Sequence, residues 1–203
     1  MSGISTTEAS TGSAGQQARR QRIVVAAMEL LDDREYDRIQ MRDVADHARV
    51  ALGTLYRYFP SKEQLFAHVL LEWSTTFELS VRRRRGSAGD PAARLVAVLR
   101  SAARAFERHP NYFRLIVVLE GASTAEVTEP FGAYAAGFHA VLADALDGVD
   151  PDDAAVIAAM SAAVLSAELR GWSHGRTSMR GVYERLERSV GLVFGSPRPS
   201  GAG

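Results

Sequence analysis

The stretch "MRDVADHARVALGTLYRYFPSKEQLFAHVL", residues 41–70, contains the pattern that decides the fold. Two short segments with apolar residues at helical spacing, Met41–Ala48 and Leu52–Phe59, are separated by only three residues. Pro60 ends the second segment, because the residue before a proline is pushed out of helical geometry. The letters SKEQ that follow form a capping box at the start of another helix. Two short helices joined by a tight turn and packed on a longer first helix predict a helix-turn-helix.

The second short helix is predicted to have one buried face and one outward face. At about 100° per residue, Leu52, Leu55 and Phe59 fall within about 60° of one another and form the core line. A helix-turn-helix places this helix in the major groove of DNA, where Arg can fork onto a guanine edge and hydroxyls can bind phosphate oxygens. The residues predicted on its outward, DNA-facing surface are Gly53, Thr54, Tyr56, Arg57 and Tyr58.

Cations near this helix extend the predicted DNA surface. Lys62, the only lysine of the chain, lies beside the free amides at the start of the next helix, which is a natural phosphate site. Arg42 begins the first short helix and is placed to reach a base or a phosphate. Gly53 has no side chain, which permits close approach to the groove. The cluster Arg19–Arg22 is placed to follow the flanking DNA backbone.

The periodicity of the remaining chain predicts an all-α protein of about nine helices, with a three-helix DNA-binding head and a larger helical body for ligand binding and dimerisation. The first helix is expected from Gln17 to Arg34. After residue 90 the pattern predicts helices near 92–108, 111–119, 126–146, 152–173 and 180–194. The predicted domains are a disordered arm (1–15), the helix-turn-helix domain (16–65), the ligand-binding and dimerisation domain (66–194) and a disordered tail (195–203).

Composition narrows the function classes. The chain has no cysteine, and its five histidines show no metal-ligand spacing, so neither a metal nor a cofactor is expected. Gly-x-Ser-x-Gly, phosphate-loop and paired-carboxylate patterns are absent, which argues against an enzyme. Residues 1–119 carry 18 Lys+Arg against 13 Asp+Glu, and the remainder 6 against 11, so only the first part suits a polyanion. No secretory signal or membrane span is predicted, and a cytoplasmic protein is expected.

The segment from Arg20 to Leu71 resembles, without gaps, the N-terminal DNA-binding domain of TetR-family transcriptional regulators. The residues that carry the resemblance are Met41, Arg42, Val44, Ala45, Val50, Gly53, Thr54, Leu55, Tyr56, Tyr58, Phe59, Lys62 and Leu65. The resemblance implies base-proximal positions for Arg42, Gly53, Arg57 and Tyr58, and phosphate positions for Thr54, Tyr56 and Lys62. It also implies a homodimer, formed by the last two helices, on a palindromic site in double-stranded DNA.

Two strings, "VALGTLYRYFPSK" (50–62) and "WSHGRTSMRGVYERLERSVGLVFG" (172–195), are similar to the actinobacterial KstR-like branch of regulators of steroid catabolism. The similarity implies a similar operator and says less about the ligand. The expected function is a repressor that a small apolar effector releases, such as a steroid- or fatty-acyl-derived metabolite. A drug-responsive repressor of an efflux gene is the alternative, and an all-α binding protein or enzyme is the rival from another class. The residues expected to line the effector pocket are Phe106, Phe113, Phe131, Tyr134, Phe138 and Met160.

Overall fold

The computed structural model describes residues 6–84 and 89–195, which form α-helices and connections without a β-strand. A single 3-10 turn, Tyr36–Arg38, lies between the first two helices. The nine helices of the described residues are α1 (Thr6–Asp33), α2 (Met41–His47), α3 (Leu52–Tyr58), α4 (Lys62–Arg84), α5 (Pro91–Arg108), α6 (Pro110–Leu119), α7 (Ala125–Ala145), α8 (Pro151–Ser173) and α9 (Met179–Val193). The predicted all-α class is confirmed.

The N-terminal segment differs from its prediction, because α1 begins at Thr6 rather than near Gln17. The disordered arm predicted for residues 1–15 is therefore wrong for residues 6–15, and residues 1–5 lie outside the described part of the chain. Ser, Thr and Gly are poor helix nucleators, yet extending a helix that already exists avoids the cost of nucleation. Of the predicted disordered tail, only Gly195 lies within the described residues, in a turn, with residues 196–203 outside them.

Backbone hydrogen bonds close the turn between α2 and α3. The amide of Val50 donates to the carbonyl of Ala45 at 3.0 Å, and the amide of Arg49 donates to that of Asp46 at 3.1 Å. Arg49 has a φ of 54°, the left-handed conformation that a helix ending of this kind requires. A side chain other than glycine is strained there by about 1 kcal/mol or more. These hydrogen bonds fix the orientation of α3 relative to α2.

The chain divides into two compact units. The first, the head unit, comprises the chain up to Trp73 together with Leu115–Phe131, and the second, the body unit, comprises Ser74–Arg114 and the chain from Gly132 onward. The predicted boundary at residue 65 differs from this division. The first turns of α4 belong to the head unit. They contain five fully buried residues, Leu65, Phe66, Ala67, Val69 and Leu70.

In the body unit, α5, α8 and α9 pack together. Their buried positions recur at helical spacing and include Leu95 and Leu99 on α5, Ala158 and Leu165 on α8, and Val182, Leu186 and Val190 on α9. Arg94 ties the end of α7 to α5, since its Nε donates to the carbonyl of Ala145 at 2.9 Å and its Nη2 to that of Asp147 at 2.5 Å. Buried apolar area and these caps hold the body helices in register.

Candidate nucleic-acid interface

Two fully buried side chains, Leu55 and Phe59, hold α3 on the head unit. The guanidinium carbon of Arg20 on α1 lies 5.1 Å from the centre of the Phe59 ring. The ring of His68 on α4 meets Phe59 edge-on, with centroids 5.4 Å apart. Leu52, the third member of the predicted core line, is half-buried. The prediction that Phe59 belongs inside is confirmed, and its contacts join α3 to both longer helices.

The opposite side of α3 faces solvent and carries the polar residues that the sequence predicts there. Tyr56 keeps 46% of its surface exposed, Arg57 is exposed, and Thr54 and Tyr58 are half-buried. The Arg57 guanidinium lies over the Tyr58 ring, 5.9 Å from its centre. A cation over an aromatic ring is attracted to it by about 0.5–1 kcal/mol at an exposed site. The structure therefore places the Arg57 guanidinium and the phenols of Tyr56 and Tyr58 together on one solvent-facing helical surface.

Gly53 lies in the first turn of this same surface. A Cβ added at Gly53 would meet no heavy atom within 4 Å, apart from its chain neighbours and its own helix backbone. Glycine inside a helix costs about 0.5–1 kcal/mol relative to alanine, and no packing within the head unit requires it here. An external object that approaches the α3 backbone closely, such as the edge of a DNA base, gives a reason for the glycine.

Arg42 is exposed in the first turn of α2. The start of that helix is held by Asp43, whose Oδ2 accepts a hydrogen bond from the amide of Gln40 at 2.9 Å. The amide of Val44 donates to the carbonyl of Gln40 at 3.3 Å. This cap fixes the backbone from which the Arg42 side chain extends into solvent.

Lys62 makes contacts inside the head unit that the sequence did not indicate. Its ammonium donates to the backbone carbonyl of Tyr36 at 2.5 Å and lies 3.9 Å from the centre of the Tyr36 ring. Burial lowers the pKa of Lys62, while the carboxylates of Asp37 and Glu63 act in the opposite direction. Tyr36 is 26 residues earlier in the chain, so no local pattern could have revealed this pair. One of the three ammonium donors therefore binds the protein itself.

Tyr36 is held on its other side by α4. Its hydroxyl donates to Oε1 of Glu63 at 3.2 Å, and its ring meets Phe66 edge-on with centroids 5.2 Å apart. Burial and the Glu63 carboxylate raise the pKa of Tyr36, so the phenol stays protonated. The cluster of Tyr36, Lys62, Glu63 and Phe66 fixes the start of α4 against the connection between α1 and α2.

The aromatic residues predicted to line an effector pocket are distributed between the two units. In the body unit Phe106 and Phe113 are buried and meet edge-on, with ring centroids 5.7 Å apart. Tyr134 and Phe138 of α7 are half-buried in the same unit. Phe131 is half-buried and belongs to the head unit. The structure thus joins one predicted pair directly and leaves the α7 aromatics only partly covered.

Met160 does not belong with those aromatics, because 53% of its surface is exposed on α8. It lies one turn from Val156, which is 58% exposed. The buried residues of α8, such as Ala158 and Leu165, face the other way. The prediction that Met160 lines a pocket inside the body is therefore corrected: Met160 lies on the outward side of α8. The outward side of α8, hereafter the α8 face, consists of Val156, Ala159, Met160, Ala163 and Ala167.

A further exposed apolar residue lies near the end of α9. Arg185 on α9 donates from Nε to Oε2 of Glu168 on α8 at 2.5 Å, which shows that the two helices form an antiparallel hairpin. Leu192 is 67% exposed. The apolar stripe of Val182, Leu186 and Val190, by contrast, is buried within the body unit.

α8 is long and apolar enough, by length and composition alone, to cross a membrane, which no other helix among the described residues is. Its Asp150 cap accepts from the amide of Asp152 at 3.0 Å, and its buried side packs on α5 and α9. No cluster of three or more potential metal ligands occurs among the described residues.

An exposed recognition helix on a helix-turn-helix, joined to a helical body, defines a DNA-binding regulator. The chain belongs to the TetR family: residues 23–69 match the model of "Bacterial regulatory proteins, tetR family", and residues 89–193 match "Tetracyclin repressor-like, C-terminal domain". It is 32% identical over 192 residues to the transcriptional repressor KstR of Mycobacterium tuberculosis, covering 93% of this chain and 86% of that protein. It is a DNA-binding transcriptional repressor and not an enzyme.

Solved structures share the fold. A TetR regulator from Rhodococcus sp. RHA1 superposes with a TM-score of 0.77 at 29% identity, over 88% of this chain and 97% of that one. The TetR-family transcriptional repressor FadR of Thermus thermophilus, solved in complex with lauroyl-CoA, superposes with a TM-score of 0.70 at 21% identity, over 91% of this chain and all of that one. The second similarity concerns the fold alone.

Proposed function

We propose that this repressor binds a palindromic operator as a homodimer and that a small apolar effector releases it in the cytoplasm. The observation that carries the proposal is the exposed face of α3. There Arg57 stacks on Tyr58 beside an unobstructed Gly53, while Leu55 and Phe59 anchor the helix. We assign base contacts to Arg42, Gly53, Arg57 and Tyr58, and phosphate contacts to Thr54, Tyr56 and Lys62. Lys62 would bind phosphate through the ammonium N–H groups that do not donate to the Tyr36 carbonyl.

The α8 face supports the homodimer. Five apolar residues without a charged member lie outward on one helix, and Leu192 of α9 is a further exposed apolar residue. Contiguous apolar surface of this kind on a water-soluble unit marks an interaction site. A second copy is the occupant that brings a matching surface, because a twofold dimer pairs a face with itself. Four helices, α8 and α9 from each protomer, then form the interface.

The effector is proposed to enter the body unit. The half-covered aromatic residues Tyr134 and Phe138 are suited to an apolar ligand, and the buried pair Phe106 and Phe113 adds aromatic surface in the same unit. Relatives point in the same direction, because the related repressor is KstR and a protein of the same fold holds lauroyl-CoA. A steroid- or fatty-acyl-derived metabolite is the proposed class. Release requires that the ligand favour one spacing of the two heads over the other.

Selection from a random duplex library tests the operator proposal. Wild-type protein is expected to enrich an inverted repeat whose half-sites lie about one helical turn, or about 34 Å, apart. Arg57→Ala should bind the selected site about 1–3 kcal/mol more weakly and lose its preference at one base pair of each half-site. Arg180→Ala, which removes an exposed arginine of α9 paired with Glu184, is the control and should bind as wild type does.

Two results would contradict the operator proposal. Enrichment of sequences without inverted symmetry would remove the palindrome. An Arg57→Ala variant that binds and discriminates like wild type would show that the exposed α3 face does not contact bases. Fluorescence anisotropy of the labelled site measures both affinities at one fixed salt concentration, because phosphate contacts make the affinity salt-dependent.

A further inference from the structure

A polar pair lies in the body unit, on the side of α4. Ser74 is almost completely buried, with 3% of its surface exposed, and Glu78 follows one helical turn later and is half-buried. The Ser74 side chain makes a hydrogen bond to the Glu78 carboxylate. Burial raises the pKa of Glu78, while Arg82 and the Ser74 hydrogen bond act in the opposite direction. Withdrawing a carboxylate from water costs free energy unless it gains partners, so its position calls for an explanation.

The Glu78 carboxylate lies directly against the backbone of α7. A Cβ added at Gly137 would overlap Oε1 of Glu78 and lie 3.0 Å from Oε2. Gly132, five residues earlier on the same helix, has open space where its Cβ would be. A glycine in the middle of a helix costs about 0.5–1 kcal/mol relative to alanine. At position 137 this cost leaves room for the carboxylate.

Two aromatic residues of α7 flank Gly137 along the chain. Tyr134 lies about one turn before Gly137 on α7, Phe138 follows directly after it, and both side chains are half-buried. Arg82, the nearest cation along α4, has its Nη2 3.3 Å from Oδ2 of Asp144, so part of its charge is directed to another carboxylate. The Glu78 carboxylate therefore contacts α7 at a glycine that two partly covered aromatic residues flank in the sequence.

We propose that Ser74 and Glu78 form the polar anchor of the effector site and that the Glu78 carboxylate accepts a hydrogen bond from a hydroxyl on an otherwise apolar ligand. This inference rests on the proposed effector-dependent function and adds the chemical class of the ligand's polar end. Ser74 donates to the carboxylate and so holds it in place, which leaves the remaining lone pairs of the carboxylate for the ligand. An anionic end group is rejected by like-charge repulsion in a partly desolvated site.

Matched alcohol and acid probes test the anchor by isothermal titration calorimetry in the absence of DNA. Wild-type protein is expected to bind 1-decanol at least about tenfold more tightly than decanoate, because only the acid brings a second negative charge. In Glu78→Gln the ratio of the two dissociation constants should fall to within about threefold, since the charge is gone and an acceptor oxygen remains. Glu184→Gln, an acid-to-amide change on the surface of α9, should keep the wild-type ratio.

A pair of glycine variants tests the geometry independently. Gly137→Ala is expected to displace the Glu78 carboxylate and weaken 1-decanol binding about tenfold, an expectation that follows from losing a hydrogen bond to a charged acceptor. Gly132→Ala, on the same helix with open space, should bind as wild type does. The thermal unfolding of both variants shows whether each one is folded.

The anchor proposal is overturned if the wild type binds neither probe or binds decanoate as tightly as 1-decanol. It is also overturned if Glu78→Gln keeps the wild-type ratio of the two dissociation constants. It is also overturned if folded Gly137→Ala binds decanol like Gly132→Ala. Binding of the selected operator is measured in parallel without ligand. Loss of operator binding in the wild type would refute the proposed function, whereas intact operator binding with an unchanged probe ratio would refute the anchor alone.

Discussion

The exposed surfaces of α3 and α8 are opposite in chemistry, although single residues on them are exposed to a similar degree. On α3, Tyr56 keeps 46% of its surface exposed, and on α8, Met160 keeps 53%. The exposed α3 side chains end in hydroxyl groups or a guanidinium, whereas the α8 face is apolar throughout. Protein–DNA interfaces are wet and positively charged, and the cores of homodimer interfaces are apolar. Exposure alone therefore does not identify a binding partner, and the end groups of the exposed side chains distinguish the two proposed interfaces.

The two surfaces also differ in how they are supported. The α3 face rests on two buried side chains of a seven-residue helix, Leu55 and Phe59. The α8 face rests on a helix of 23 residues with buried positions in every turn. A short helix has little stability of its own, so its orientation depends on tertiary contacts. Loss of a single anchor should therefore damage the DNA-facing surface more than any single change damages the α8 face.

The largest effect is expected from Phe59→Ala. The ring is fully buried between Arg20 and His68, and removing a buried phenylalanine typically costs about 3–5 kcal/mol of folding free energy. Urea unfolding should show this loss, together with loss of operator binding. Tyr56→Ala is the matched control on the same helix. It should change stability by less than about 0.5 kcal/mol and weaken operator binding through its phosphate contact. Equal destabilisation by the two variants would contradict the assignment of inner and outer aromatics.

The next effect concerns the α8 face. Met160→Glu places a charge at the centre of the proposed dimer interface, where it would have to be desolvated. Light scattering after size-exclusion chromatography should detect monomers. Affinity for the palindromic operator should fall about a hundredfold or more, equivalent to about 2.8 kcal/mol, because the two heads no longer bind as one unit.

Ala133→Glu, which adds the same charge at an exposed position of α7, is the control for Met160→Glu and should remain dimeric. A dimeric Met160→Glu protein with wild-type operator affinity would refute the assignment of the α8 face to the dimer interface.

The sequence alone sufficed for α3, because the turn, the core line, the stop at Pro60 and the cap at Ser61 are all local. The Ser61 cap is observed, with Oγ accepting from the amide of Gln64 at 3.1 Å. The sequence alone did not suffice for α8, since an Ala-rich helix that is apolar on nearly every side has no periodicity to show which side packs inward. Met160 was misplaced for this reason.

Contacts between residues far apart in the chain could not be predicted from the sequence either. The Lys62–Tyr36 contact and the approach of Glu78 to Gly137 depend on how helices pack, and no spacing in the chain encodes them. The expected extent of α1 was too short because propensity describes isolated segments, whereas the structure shows the continuation of a helix that packing has already formed.

The smallest effect, and the sharpest test of the α3 side of the comparison, concerns Lys62. Its ammonium already binds the Tyr36 carbonyl, so a phosphate contact and an internal contact compete for three donors. If the ammonium also binds phosphate, Lys62→Met should weaken operator binding by about 1 kcal/mol. It should also make the slope of log K against log salt shallower by about 0.9 for each protomer.

Lys62→Arg should retain the salt slope, because the charge remains. It should nevertheless lose stability, because a planar guanidinium does not reproduce the ammonium position 3.9 Å above the Tyr36 ring. An unchanged slope in Lys62→Met, with reduced stability, would show that the lysine serves only to fix the head unit, and the phosphate contacts of the α3 surface would then come from Thr54 and Tyr56 without it.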